Sequence, residues 1–258
     1  MNDFRETFYL GAYWGDREED LDSCAVRLTN FLKGLRDCDE IFHRWFKTGW
    51  SRKEALANEM PVEFDKLREL LDKEGKHRTD IGSRVMEDLG FSVCLWNGRD
   101  PNNGAVGLSV SCGSYAGHPG IMNSCVINLP NEGSVVERVI SSVVLEKMLC
   151  ITARCWEPNC GLVTGDTLRD MFEVAERTPY YAWVFFLSKR RGEVPKLPEP
   201  SRKKVLDGLG TIVVVTDDRF DTKRKEHIKA VKRVYRILKK AKLLEPIPQC
   251  EENPNHYC

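Results

Sequence analysis

The chain of 258 residues contains no apolar run approaching the roughly 18 residues that a membrane-spanning helix needs. Its start, MNDFRETFYL, holds no basic stretch followed by apolar residues, so no secretory leader is expected and the protein is placed in the cytosol. No G-x-G-x-x-G, P-loop or H-E-x-x-H pattern occurs, which removes the common nucleotide-binding and zinc-protease signatures. Histidine is scarce, with five residues scattered at 43, 77, 118, 227 and 256. Repeats and low-complexity segments are missing. Net charge is missing too, since 39 basic residues face 39 acidic ones, and a nucleic-acid binder is usually basic overall.

The zero conceals an asymmetry. Residues 1–132 carry 22 acidic and 16 basic side chains, −6, and residues 133–258 carry the compensating +6. Much of that excess lies in Lys223–Lys242, where Tyr235 is the one aromatic, and it reads as a solvated helix face. Cysteine is plentiful, ten residues, mostly inside apolar runs where it acts as a small hydrophobe. Cys155 and Cys160, with His256 and Cys258, supply zinc-ligand types without a usual spacing, so no metal or other cofactor is expected.

Periodicity places a strand at Glu6–Trp14 and a helix from about Arg17 to Arg36, with Asp16 as its cap. Short helices are expected at Glu40–Lys47, Ser51–Ala57 and Phe64–Lys73, then a surface loop over Glu74–Leu89. Strands follow at Phe91–Trp96, Ala105–Cys112 and Ser124–Leu129, the first two joined by the turn-forming NGRDPNNG. Helices at Ser134–Arg154 and Asp166–Glu176, strands at Tyr180–Leu187 and Thr211–Thr216, and a basic helix at Thr222–Leu243 complete the order. This is α+β: one domain over 1–258, with an antiparallel sheet of about six strands flanked by helices. Its core spans about 6–246, and 247–258 form a tail.

Catalytic patterns are thin. Gly107–Ser111 lacks the second glycine of a nucleophile elbow. Glu74–Gly75–Lys76 lies at a helix exit, where it cannot be aimed as a nuclease strand would aim it. Cys112 near His118 leaves a cysteine-dependent or hydrolytic enzyme as the alternative reading.

The densest chemistry is at Thr7–Asp22, TFYLGAYWGDREEDLD, where five of the seven residues from Asp16 to Asp22 are acidic. Tyr13 and Trp14 precede them. Aromatic anchors beside concentrated negative charge suit the docking of a basic partner, whereas helix capping and dipole complementation are the ordinary use of such acids.

Several segments in order resemble one family. They are YLGAYWGDREEDLDSCAVRLTNFL, FHRWFKTGWSRKEAL, LGFSVCLWNG, LSVSCGSY, WEPNCGLVT, YYAWVFFLSKRRGEVPKLPEP and LGTIVVVTDDRF. Together, from about residue 8 to 246, they are similar to bacterial immunity protein family fifty-two of polymorphic toxin systems, although Cys160 stands where the family pattern favours an aromatic. The resemblance implies a cognate immunity protein, not an enzyme, that binds a restriction-endonuclease-like DNase toxin, often one delivered by type VI secretion. It brings no catalytic residues. On that reading Tyr13 and Trp14 pack against the toxin while Asp16, Glu18, Glu19, Asp20 and Asp22 face its basic groove. Trp156 and Glu157 in WEP, and the loop Ser188–Arg202 with Lys189, Arg190 and Arg191, are alternative contact surfaces.

Overall fold

The computed structural model of the chain describes residues 6–118 and 120–249. Strand β1 (Phe8–Trp14) runs through the interior of its sheet. Alternation sends Phe8, Leu10, Ala12 and Trp14 to one face, all buried, and the half-buried Tyr9 and Tyr13 to the other. Asp20, not Asp16, caps helix α1 (Leu21–Arg36), accepting from the Ser23 N–H at 2.7 Å. Cys24, Ala25, Leu28, Phe31, Leu32 and Leu35 form the buried stripe of that helix.

The remaining elements are β2 (Trp45–Lys47), α2 (Arg52–Leu56), β3 (Glu59–Met60), α3 (Phe64–Leu70), β4 (Phe91–Trp96), β5 (Gly107–Cys112) and β6 (Asn123–Asn128). Then come α4 (Val135–Val139), α5 (Ser142–Trp156), β7 (Cys160–Gly165), α6 (Asp166–Asp170), β8 (Val184–Ser188), β9 (Arg202–Leu206), β10 (Gly210–Val214) and α7 (Lys225–Lys240). The sheet is antiparallel, in the order β3-β2-β4-β5-β6-β1-β7-β8-β10-β9. The fold is α+β on a single sheet, but with ten strands rather than about six.

Each additional strand hides its signal for a physical reason. β2 and β3 are too short for alternation to register. β7, CGLVTG, is buried at all six positions, so both faces are covered and no polar period exists. β9, RKKVL, is an edge strand whose lysines discourage pairing with other chains. The expected helix at Glu40–Lys47 is a 3-10 turn, Glu40–Phe42, followed by β2. Ser134–Arg154 divides at Ile140, because Ser141 turns extended and caps α5 by accepting from the Val144 N–H. The helix expected to reach Glu176 ends at Asp170.

The two faces are covered unequally. α1, α3 and α5 pack on one side, where Val93, Leu95, Leu108, Val110, Cys125 and Ile127 are buried. On the other side Thr164 of β7 donates to the Tyr181 carbonyl, and the Tyr181 ring stacks on Tyr235 of α7 at 3.7 Å. That cover protects β7, β8 and β10. Over β4, β5 and β6, on the same side, no described residue is buried: Ser92, Trp96, Ser111, Ser124 and Val126 are half-buried, and Cys94, Ser109 and Asn128 are exposed.

Candidate interaction site at the start of α1

Four segments distant in sequence meet at the C-terminal end of β1. The Gly15 N–H donates to the Asn159 side-chain oxygen at 3.0 Å, and the Asn159 carbonyl accepts from Arg191 Nε at 3.0 Å. Asp16 donates its N–H to the Gln249 carbonyl, and its carboxylate accepts from the Gly117 N–H at 2.7 Å. Residues 14–22, 156–159, 189–191 and 113–118 thus share one corner.

Within that corner the acids divide by partner. Asp16 is buried and braces the 113–118 loop. Glu19, its side chain 9% exposed, is clamped between Arg17 at 3.2 Å and Arg27 at 2.5 Å. Arg27 also donates to the Cys155 carbonyl and pairs with Glu157 at 3.2 Å, joining α1 to the end of α5. Asp22 pairs with Arg68 of α3 at 2.5 Å. Asp20 is spent partly on its cap, which holds its carboxyl below the usual carboxylate range. Glu18, Asp20 and Asp22 are exposed towards solvent, Asp22 within its surface ion pair to Arg68.

Trp14 lies inside, its ring stacked on that of Trp156 at 5.6 Å, and both are fully buried. The Arg17 guanidinium sits 5.2 Å over Trp14 and donates to the Trp156 carbonyl at 2.9 Å. Neither indole presents a face to a partner. Tyr13 is half-buried at the mouth of a separate 270 Å³ pocket with Met122, Cys160, Tyr180 and Ile247, and burial pushes its phenol up. Glu157 is exposed beside Arg27. Lys189 is exposed, whereas Arg191 is held inward by donating to the Leu243 and Glu245 carbonyls. Arg190 follows Ser188, whose hydroxyl accepts its N–H. Ile247, at the start of the expected tail, is buried; Cys250, His256 and Cys258 lie outside the described residues.

The surface acids are joined by residues that no sequence pattern tied to them. A cleft of about 350 Å³ opens between Glu18, Asp20 and Leu21 on one side and Val85, Glu87, Phe91 and Tyr115 on the other. Asp88 adjoins it, its carbonyl accepting from the Tyr115 N–H at 2.9 Å. Desolvation and then the charges of Glu18, Glu87 and Asp88 push the Tyr115 phenol up. Lys76, the cation in the cleft, is already paired with Asp72 at 2.5 Å. The cleft sets the apolar Leu21, Val85 and Phe91 beside the carboxylates of Glu18, Asp20 and Glu87, a mixture that suits the stem and charged head of a lysine or arginine.

Cys112, the thiol singled out above, is buried against Cys24, whose hydrogen bond pushes its thiol well up, with burial adding to the effect. A thiol so protonated is a poor nucleophile. His118 faces solvent near Gly120, whose N–H its ring accepts. Among the described residues no group of three His, Cys, Asp or Glu could hold a metal ion, and no helix is long and apolar enough to cross a membrane.

This corner gathers charged and aromatic side chains from distant segments at one end of the sheet. The chain belongs to the immunity protein 52 family, whose model matches residues 6–247. Among solved structures it is similar to the Pseudomonas aeruginosa T6SS protein PA0821, with TM-score 0.51 and 13% identity over 94% of this chain and 78% of that one, a likeness of fold. No curated protein matches it.

Proposed function

We propose that this protein is the cognate immunity protein of a restriction-endonuclease-like DNase effector, neutralising it by stoichiometric binding without catalysis. Family membership over residues 6–247 carries the reading. Delivery of that effector by type VI secretion accords with the likeness of fold to a Pseudomonas aeruginosa T6SS protein. The groove of a DNA-cleaving enzyme is positive, so an inhibitor occupies it best with acids fixed on a rigid support. Glu18, Asp20, Glu87 and Asp88, with Tyr115 as the aromatic contact, provide that surface. Asp16 and Glu19 hold it in place from behind, the exposed Asp22 extends it along α1, and Tyr13 and Glu157 flank it. Inhibition occurs in the producing cell, before the toxin reaches DNA.

The test is co-purification with the product of the adjacent gene, followed by DNA cleavage by toxin alone and by the complex. The expected result is a tight complex and cleavage abolished at a fixed molar ratio. Absence of a complex, with toxicity undiminished on co-expression, overturns the reading.

A further inference from the structure

Helix α7 carries its cations on one side. At ~100° per residue, Lys225, Lys229, Lys232, Arg236 and Lys239 fall within a sector of about 80°, with Arg233 and Lys240 along its edge. All seven are exposed, while His227, Val231, Val234, Tyr235 and Leu238 on the opposite side are buried. The helix has one acid, Glu226, and Arg224 holds it at 2.7 Å. Among the described residues no carboxylate pairs with any of the seven. Elsewhere the chain interleaves its charges: in and after α3, Lys73 pairs with Glu69 and Lys76 with Asp72, each four residues away.

Solvation alone does not select this arrangement. Like charges at i and i+4, as in Lys225/Lys229, Lys229/Arg233, Lys232/Arg236 and Arg236/Lys240, oppose helix formation. Lys225 stands in the first turn, where the helix dipole disfavours a cation. A face that met only water would gain stability from acids in the row, and an anionic ligand removes the same repulsion. The stripe is about 22 Å long, roughly one cation per 3 Å. A nucleic-acid duplex carries one phosphate per ~3.4 Å on each strand. We propose that the outer side of α7 binds the phosphate backbone of a nucleic-acid duplex, without regard to sequence.

Other polyanions fit less well. No aromatic ring is exposed on the stripe, Phe172 lying half-buried under the Lys232 ammonium at 4.9 Å, so the bases of a single strand have nothing to stack on. The apolar side of the helix is committed to the core and offers no wedge to a lipid surface. Protein interfaces are poor in lysine at their centres, and five of the seven cations are lysine. The neutral total does not oppose binding. α1 and the acids at its start lie on the other side of the sheet, and exposed charges further apart than the Debye length of about 8 Å are largely screened at physiological salt. The inference does not depend on the toxin-binding reading; where that reading holds, it places the inhibitor on the polymer the toxin must reach, with its acidic face turned away.

The full chain is titrated into fluorescently labelled DNA and RNA duplexes of about 20 base pairs and unrelated sequences, with anisotropy followed from about 50 to 200 mM salt. Binding should be alike for all sequences and weaken with a log–log slope of about −5, as five or six phosphate contacts require. Binding of either duplex supports the proposal, and the tighter one names its source. Lys229→Gln, Lys232→Gln and Arg236→Gln together should weaken duplex binding at least about tenfold and make the slope shallower by about three. Their thermal midpoint should hold or rise, since repulsion is relieved, and toxin affinity should stay unchanged. No duplex binding at the lowest salt, wild-type binding by the triple variant, or a preference for single strands or for phosphatidylserine vesicles overturns the proposal. Loss of toxin binding by the triple variant overturns it too, because the stripe is then a protein contact. Duplex binding by a chain that captures no toxin leaves this inference standing while the immunity reading falls.

Discussion

Tryptophan is the side chain most often found at binding hot spots, yet Trp14 and Trp156 serve the interior. Their stack, capped by the Arg17 guanidinium, joins β1 to the end of α5 beneath the acidic cleft. Trp156→Ala should cost about 3–5 kcal/mol in urea unfolding, the usual range for deleting a buried aromatic. Tyr115→Ala belongs to the opposite class. The residue is 40% exposed at the cleft, so the unfolding midpoint should stay in place while toxin affinity drops by about tenfold or more, measured by calorimetry. If Tyr115→Ala binds as wild type does, the cleft is not the contact.

At the scale of elements, two devices separate support from recognition. Asp20 both caps α1 and faces the cleft. Asn caps as well as Asp, so Asp20→Asn should preserve the thermal midpoint and reduce toxin affinity, while Asp20→Ala lowers both. The second device ties the edge strand down: Glu146 of α5 pairs with Arg202 at 2.5 Å and Lys204 at 3.0 Å on β9. Burial pushes the Glu146 carboxyl up, but hydrogen bonds from Arg202 and Lys204 pull it down and prevail, leaving it below the ordinary 4.5. A carboxyl lowered by folding contributes stability above its unfolded value, and that contribution disappears as pH falls through the folded one. The stability gap between wild type and Glu146→Gln should therefore be full at neutral pH and close progressively below pH 4.5, as urea titrations at stepped pH would show.

At the scale of the molecule, charge is segregated along a neutral chain, −6 in one half and +6 in the other. On the proposed reading, such a charge distribution steers a basic toxin surface without the protein being highly charged. Raising salt from low to several hundred millimolar should slow toxin association by about tenfold and leave dissociation nearly unchanged in stopped-flow measurements. Glu18→Lys with Glu87→Lys should remove that salt dependence. An association rate indifferent to salt would mean the acidic face does no steering.

Local physics was legible from the residues alone. The alternation of FYLGAYW, the apolar stripe of α1, the short helix opening at Ser51 and the three strands of the β4–β6 meander all depend on neighbours within a few positions. The concentration of acids at Asp16–Asp22 was equally plain. Which of those acids look outward was not, because what surrounds them comes from elsewhere: Gly117, which binds the buried Asp16, lies 101 positions from it, Arg68 lies 46 from Asp22, and Arg27, the near neighbour that pairs with Glu19, is itself anchored to Cys155 and Glu157 at the end of α5. Glu87 and Tyr115 join Glu18 by the same long-range packing. Of the strands that went unread, β2 and β3 were too short to show a period, whereas β7, buried on both sides, and β9, guarded by lysine, owe their character to where they sit in the sheet. Sequence determined which segments could be strands, helices and charge clusters, since those follow from local periodicity. Tertiary structure alone decided which carboxylates are struts and which are a surface, because burial and ion pairing are properties of residues brought together from across the chain.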